Sequence, residues 1–143
     1  LRTIAIYGSS RNNGNTKMLV DYIALKFQIQ SINLADYNIE LYNYENNYNS
    51  NDYLSIINEL VKYENIIFIT PVYWYSISSY LKIFIDRFTD LITYHKKLGK
   101  QLRNKKIYLI SQGYNYRKDN HFSDFLEKTC NYMRMNFIKN EFY

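Results

Sequence analysis

Only one cysteine, Cys130, occurs in the 143 residues of this chain. A single thiol makes neither an internal disulfide framework nor an all-cysteine metal or cluster site, and no metal is expected. With Phe125, Leu126 and Met133 around it, Cys130 reads as a core residue. Proline is equally scarce, Pro71 alone. No apolar run approaches the length that spans a bilayer, and no basic-then-apolar leader opens the sequence, so a soluble, cytoplasmic protein with no membrane partner is expected. Glycine is limited to four residues, and two of them, Gly8 and Gly14, bracket one short polar stretch.

That stretch is Gly8-Ser9-Ser10-Arg11-Asn12-Asn13-Gly14-Asn15-Thr16, between an apolar run at Thr3–Tyr7 and a helical pattern that begins near Thr16. Strand, polar turn, helix is the arrangement of a phosphate cradle. The first turn of a helix leaves backbone N–H groups without intrahelical partners, and the peptide dipoles put partial positive charge at the same end. An anion satisfies both. Gly8 would let the chain leave the strand sharply, and Gly14 would let backbone approach a ligand. The hydroxyls of Ser9, Ser10 and Thr16, the amide of Asn15 and the charge of Arg11 supply polar contacts. The bland alternative is a hydrophilic loop that merely caps its helix. The concentration of scarce glycine favours the cradle, and the spacing is neither the GxGxxG dinucleotide fingerprint nor the GxxxxGK P-loop, so a different phosphate ligand is implied.

Tyrosine, in contrast, is abundant at seventeen residues, and the formal charge is +5 with a pI near 9.1. Together these invite a nucleic-acid reading. The lysines and arginines are nevertheless spread along the chain, with one modest cluster at Lys96–Lys106, and no nucleic-acid partner is expected. A basic surface favours anionic small molecules.

At this length one domain, residues 1–143, is expected. The run Arg2–Tyr7 reads as a strand buried on both faces. From Thr16 to about Gln28, Leu19, Ile23 and Phe27 with Met18, Tyr22, Leu25 and Ile29 form a broad helical stripe. A weak strand at Ser31–Leu34 precedes a long Asn- and Tyr-rich connection, Ala35–Asn51. A helix capped by Asp52 runs to about Tyr63 with Leu54, Ile57, Leu60 and Val61 inward. Asn65–Thr70, the most apolar short run, is the central strand and ends at Pro71. A helix follows from about Ser78 to Ile92, with Lys82 and Asp86 spaced to pair. The Lys96–Lys105 connection leads to a strand at Lys106–Ser111, a helix at about Ser123–Met135 and an edge strand at Asn136–Tyr143. Strands alternating with helices imply an α/β doubly wound parallel sheet with helices on both faces. Ligands of such sheets bind outside the carboxyl ends of the strands, here at the loops Gly8–Asn15, Pro71–Ser79 and Ser111–Lys118.

The second of those loops carries Pro71-Val72-Tyr73-Trp74-Tyr75-Ser76, three consecutive aromatics including the sole tryptophan. Chemistry alone leaves two partners open for it, a flat ligand ring or the protein's own helix or neighbouring subunit. The two motifs together, GSSRNNGNT and TPVYWYSISSYLKIFIDRF, resemble the NADPH-dependent FMN reductase and NAD(P)H:quinone reductase family of flavodoxin-like flavoproteins, a resemblance that runs from Arg2 to about Asp119. It implies a flavodoxin-like five-stranded sheet in the order 2-1-3-4-5, FMN as cofactor and NAD(P)H as co-substrate. By that resemblance Ser9, Arg11, Asn15 and Thr16, helped by Ser10 and Asn13, hold the FMN phosphate. Pro71, Val72, Tyr73, Trp74, Tyr75 and Ser76 line the isoalloxazine, and Gln112 and Gly113 touch its far edge. Lys82, Asp86 and Arg87 match a helix motif that supports structure or a dimer interface. Many relatives have glycine where Tyr75 stands. The iron–sulfur branch is excluded, because Asn43–Asp52 contains no cysteine.

The resemblance further implies hydride transfer from the nicotinamide to the flavin and on to a small-molecule acceptor, a quinone, flavin, nitro or azo compound, with no catalytic protein residue. His95 and His121 are expected in surface or helix-flanking roles, whereas Tyr73, Tyr114 or Tyr116 could orient an acceptor. Thr70–Tyr80 carries no charge and Ser111–Lys118 only Arg117 and Lys118. Neutral or positive surroundings favour a two-electron reductase over a one-electron carrier. A flavodoxin-type electron carrier or flavin-binding regulatory protein is the alternative, and a protein of this fold without FMN the third reading. A homodimer or homotetramer is implied, as in many of these flavoproteins.

Overall fold

The structure, a computed structural model, describes residues 1–113, 119 and 121–143. Five parallel strands form one sheet in the order β2-β1-β3-β4-β5. They are β1 (Thr3–Tyr7), β2 (Gln30–Asn33), β3 (Asn65–Pro71), β4 (Lys106–Gln112) and β5 (Asn136–Phe142). The register is in step across the centre: Ile6 pairs with Ile32 on one side and Phe68 on the other, and Phe68 pairs with Leu109. Tyr7 therefore ends level with Ile69 and Ile110, and the turns after β1, β3 and β4 leave from one rim. Strand β5 slips by one residue between Ile107 and Tyr108 of its neighbour.

Alternation along the strands sorts the core into two layers. Ile4, Ile6, Ile66, Phe68, Ile107 and Leu109 face α2 (Asp52–Leu60), α3 (Ser79–Asp86), α4 (Phe88–Thr93) and α6 (Asp124–Met133). Ala5, Tyr7 and Ile69 face α1 (Asn15–Phe27), which contributes Val20 and Ile23. Helix α1 thus buries a narrower stripe than its sequence suggests: Met18, Tyr22, Leu25 and Phe27 are exposed. In α2 the fully buried residues are Tyr53, Ile56, Ile57 and Leu60, while Leu54 and Val61 pack only partly.

Two elements depart from the expected boundaries. The helix expected from Ser78 to Ile92 is divided at Arg87 into α3 and α4. There the Arg87 guanidinium is buried, pairs with Asp90 and lies 3.4 Å from the ring centre of Tyr48 and 4.4 Å from that of Tyr53. It also donates to the Glu40 carbonyl at 3.2 Å, and Tyr48 donates to Asp90 at 3.3 Å. The long connection after β2 is thereby clasped to the helix pair. The second departure is α5 (Lys96–Lys100), inside the expected connection before β4. It approaches α4 so closely that a Cβ on Gly99 would stand 2.2 Å from the Leu91 carbonyl oxygen. Lys105 is not a surface charge; its ammonium turns inward and donates to the carbonyls of Val61, at 2.8 Å, and Tyr63, ending α2. Cys130 is buried as expected, and burial pushes its thiol up to about 12. The expected Lys82–Asp86 pair forms on the surface of α3.

Candidate functional site

The turn after β1 delivers an uncapped helix. Gly14 is the N-cap of α1, with φ −83° and ψ 169°, and no side chain caps the first turn, which also contains no acidic residue. The first intrahelical bond is Met18 N–H to the Gly14 carbonyl, so the earlier N–H groups remain available to an anion. Ser9 is nearly buried and makes only long contacts with the Arg11 backbone, 3.4 and 3.5 Å. Arg11 is exposed and makes no ion pair among the described residues.

Three loops meet at this point. Thr16, nearly buried, donates to the Gln112 amide oxygen at 3.4 Å, and Val72 N–H donates to the Gln112 carbonyl at 2.8 Å. The result is a single cleft of about 700 Å³ at the rim of the sheet. Ser9, Ser10, Arg11, Asn13, Gly14, Asn15 and Thr16 form one wall, Pro71, Val72 and Tyr73 a second, and Gln112 and Gly113 a third. That volume lies within the range of cofactor sites. Among the described residues no carboxylate lines it, and Arg11 is the one charged lining group.

Trp74, Tyr75 and Ser76 are placed differently. Tyr73 and Ser76 exchange both backbone hydrogen bonds at 3.0 Å, which makes Trp74 and Tyr75 the central pair of a two-residue hairpin turn. Both lie in the left-handed region, at φ 49° and 63°, as the primed turns require. Asn-Gly is the usual pair there, and two aromatics carry steric strain. Trp74 is 94% and Tyr75 76% exposed, so no packing against the chain's own helices explains them. They project from the rim beyond the cleft wall.

Residues not singled out in the sequence form the neck of this loop. Thr70, fully buried, accepts from Ser78 N–H at 2.9 Å and donates to the Pro71 carbonyl at 2.8 Å. Ser78 in turn caps α3 by accepting from Leu81 N–H. A serine one residue before an amphipathic helix is the signal that could have revealed this. The two glycines of the turn are placed differently, Gly14 in the cleft wall and Gly8 outside it. Neither Gly8 nor Gly14 adopts a left-handed conformation. Gly8 is demanded by packing, since a Cβ there would stand 2.4 Å from that of Tyr80 on α3. His95 and His121 lie outside the cleft wall; His121 stands 3.0 Å from Asp124. Tyr114, Tyr116, Arg117 and Lys118 lie outside the described residues.

A five-stranded 2-1-3-4-5 sheet with an uncapped helix start after β1 and an aromatic loop after β3 defines a flavodoxin-like protein. The sequence matches the NADPH-dependent FMN reductase family along residues 1–143, and the chain belongs to that family. It is 30% identical over 121 residues to a Bacillus subtilis protein, YwqN, assigned as an NAD(P)H-dependent FMN-containing oxidoreductase; the match covers 79% of this chain and 67% of that one. A solved Bacillus subtilis structure, the Trp repressor binding protein, superposes with a TM-score of 0.74 at 26% identity, covering 99% of this chain and 82% of its own. The FMN complex of general stress protein 14 from Treponema denticola shares the fold, with a TM-score of 0.73 at 17% identity over 99% of this chain and 85% of its own. The protein is an oxidoreductase of the NAD(P)H-dependent FMN reductase type, with FMN as its cofactor. The uncapped start of α1 beside Arg11 fits the phosphate of that group, and the open cleft fits its body.

Proposed function

We propose that this chain, as a single domain spanning residues 1–143, reduces a planar small-molecule acceptor, a quinone, flavin, nitro or azo compound, at the expense of NAD(P)H. The observation that carries the reading is the meeting of the three loops in one cleft, with the uncapped start of α1 and Arg11 on one wall and Pro71, Val72 and Tyr73 on another. Arg11, Ser9, Ser10, Asn13, Asn15 and Thr16 would hold the FMN phosphate. Pro71, Val72 and Tyr73 would flank the ring, with Trp74, Tyr75 and Ser76 at its outer rim, and Gln112 and Gly113 would close the far edge. Bound there, FMN supplies the hydride chemistry. The protein's share is to fix the phosphate, orient the ring and leave one face open to nicotinamide and acceptor in turn. No protein nucleophile or acid is required. The absence of carboxylates from the cleft wall among the described residues supports two-electron reduction rather than single-electron carriage. A cytoplasmic homodimer or homotetramer, in which a second subunit covers the exposed aromatic turn, completes the reading.

The test is the visible spectrum of the purified protein under argon. Flavin absorbance that bleaches on adding NADPH or NADH and returns on adding a quinone is the expected result. A colourless protein that releases no FMN on denaturation and takes none up would overturn it.

A further inference from the structure

The end of the sheet opposite the cleft carries a second hollow, about one strand length or roughly 20 Å away. It lies where Arg103 leads into β4 and Arg134 leads into β5, has a volume of about 180 Å³, and is walled by Lys96, Lys100, Arg103, Arg134, Ile92 and Tyr132 among others. Lys96 and Lys100 are one helical turn apart on α5 and share a face. Arg134 is the C-cap of α6 at φ 59°, a left-handed position that favours glycine. Its carbonyl accepts from Asn104 N–H at 2.8 Å, and Asn104 is itself left-handed at φ 67°. The two cationic segments are thus tied together by backbone.

Four like charges around a small hollow repel one another unless something anionic lies among them. The chain contains no acidic residue between Asp90 and Asp119. Among the described residues no ion pair engages any of the four cations. The helix dipole accounts for cations at the ends of α6 and α5, hence for Arg134 and Lys100, but not for Lys96 and Arg103. The hollow is too small for a whole nucleotide, yet it has the space of several water molecules, enough for linked phosphates. A second trough of about 390 Å³ shares Ile92, Tyr132 and Met133 with it and continues along Ile85 and Phe88. Tyr132 is 75% exposed between the two. The one carboxylate in that trough among the described residues, Asp86, is already paired with Lys82.

We infer that this hollow binds the diphosphate group of a small phosphorylated ligand whose apolar or aromatic portion lies in the adjoining trough across Tyr132. The cations take the phosphates as point charges and forks, and the trough takes the body. The site is separate from the flavin cleft, and the inference does not depend on the proposed reductase activity.

Calorimetric titration of the purified protein with inorganic pyrophosphate tests it. Expected is one saturable site per chain with submillimolar Kd, weakened by raising sodium chloride from 50 to 200 mM. The paired substitution Lys100→Gln with Arg103→Gln, on exposed side chains, is expected to weaken binding at least tenfold while FMN content stays unchanged and the melting temperature without ligand does not fall, because like-charge repulsion is relieved. Arg11→Ala is expected to leave pyrophosphate binding intact. Binding that is lost in Arg11→Ala but kept in the paired variant would place the anion in the flavin cradle and overturn the inference. So would the absence of saturable binding in the unsubstituted protein. ADP and geranyl diphosphate then distinguish the appended group: the one that fits the trough binds tighter than pyrophosphate and loses that advantage in Tyr132→Ala. Equal binding of all three before and after that change would overturn the assignment of the trough.

Discussion

Tyr53 is fully buried, yet its hydroxyl has no hydrogen-bond partner among the described residues, and burial pushes its pKa well above the usual tyrosine value. The ring lies against Arg87 and packs edge-on to Phe84 at 5.4 Å, so the ring carries the packing and the hydroxyl only a desolvation cost. Tyr53→Phe is therefore expected to raise stability by about 1 kcal/mol, seen as a higher urea midpoint with unchanged slope. Arg87 behaves oppositely. Removing its guanidinium leaves Asp90, fully buried, without its counter-charge, and Arg87→Ala is expected to lose about 3–5 kcal/mol. Cys130 gives a pH dependence. Its thiol is pushed from 9.0 to about 12 in the folded state, so above pH 9 the unfolded chain releases its proton first and stability falls as pH rises towards 12. Between pH 8 and 10.5 the unsubstituted protein should lose about 2 kcal/mol more than Cys130→Ala, measured by urea unfolding at each pH.

At the scale of elements, the two glycines of the cradle should separate by role. Gly8→Ala drives a Cβ into Tyr80 and is expected to cost about 1–3 kcal/mol, whereas Gly14→Ala meets only Arg11 at 3.3 Å and should be nearly neutral in stability. A denaturation series of the two variants checks the contrast. In the aromatic turn, Tyr75→Gly relieves the left-handed conformation at φ 63° and is expected to stabilise by about 1 kcal/mol. These positions also show how much was legible in the sequence. The strands could be read because runs such as Ile66–Ile69 are apolar on both faces, and the cleft wall after β1 because its glycines, hydroxyls and arginine are contiguous. The roles of Gly8 and Arg87 depend on partners far away in sequence, Tyr80 in one case, Tyr48 and Tyr53 in the other, and no local pattern announces them. The outward turn of Met18, Tyr22 and Leu25 was hidden for a related reason. Apolar residues at helical spacing mark a helix, but how wide a stripe is covered depends on the neighbours the fold supplies.

For the molecule as a whole, the cleft joins the ends of β1, β3 and β4, which are the centre of the sheet, so occupancy of the cleft should be felt in global unfolding. A ligand that binds only the folded state stabilises it by RT ln(1 + [L]/Kd), about 2.7 kcal/mol at a hundredfold excess over Kd. For a chain of this size that corresponds to a rise in Tm of roughly 8 °C. Apoprotein loaded with FMN should show such a rise in a thermal melt. Riboflavin keeps the ring but lacks the phosphate, so at the same concentration it leaves the start of α1 and Arg11 without an anion and should give a clearly smaller shift. Arg11→Ala should shrink the FMN shift towards that of riboflavin and leave the riboflavin shift unchanged, because the lost interaction is with phosphate alone. Equal shifts for the two ligands in the unsubstituted protein would mean that the seat after β1 does not take the phosphate, and the division of the cleft into an anion end and a ring end would fail.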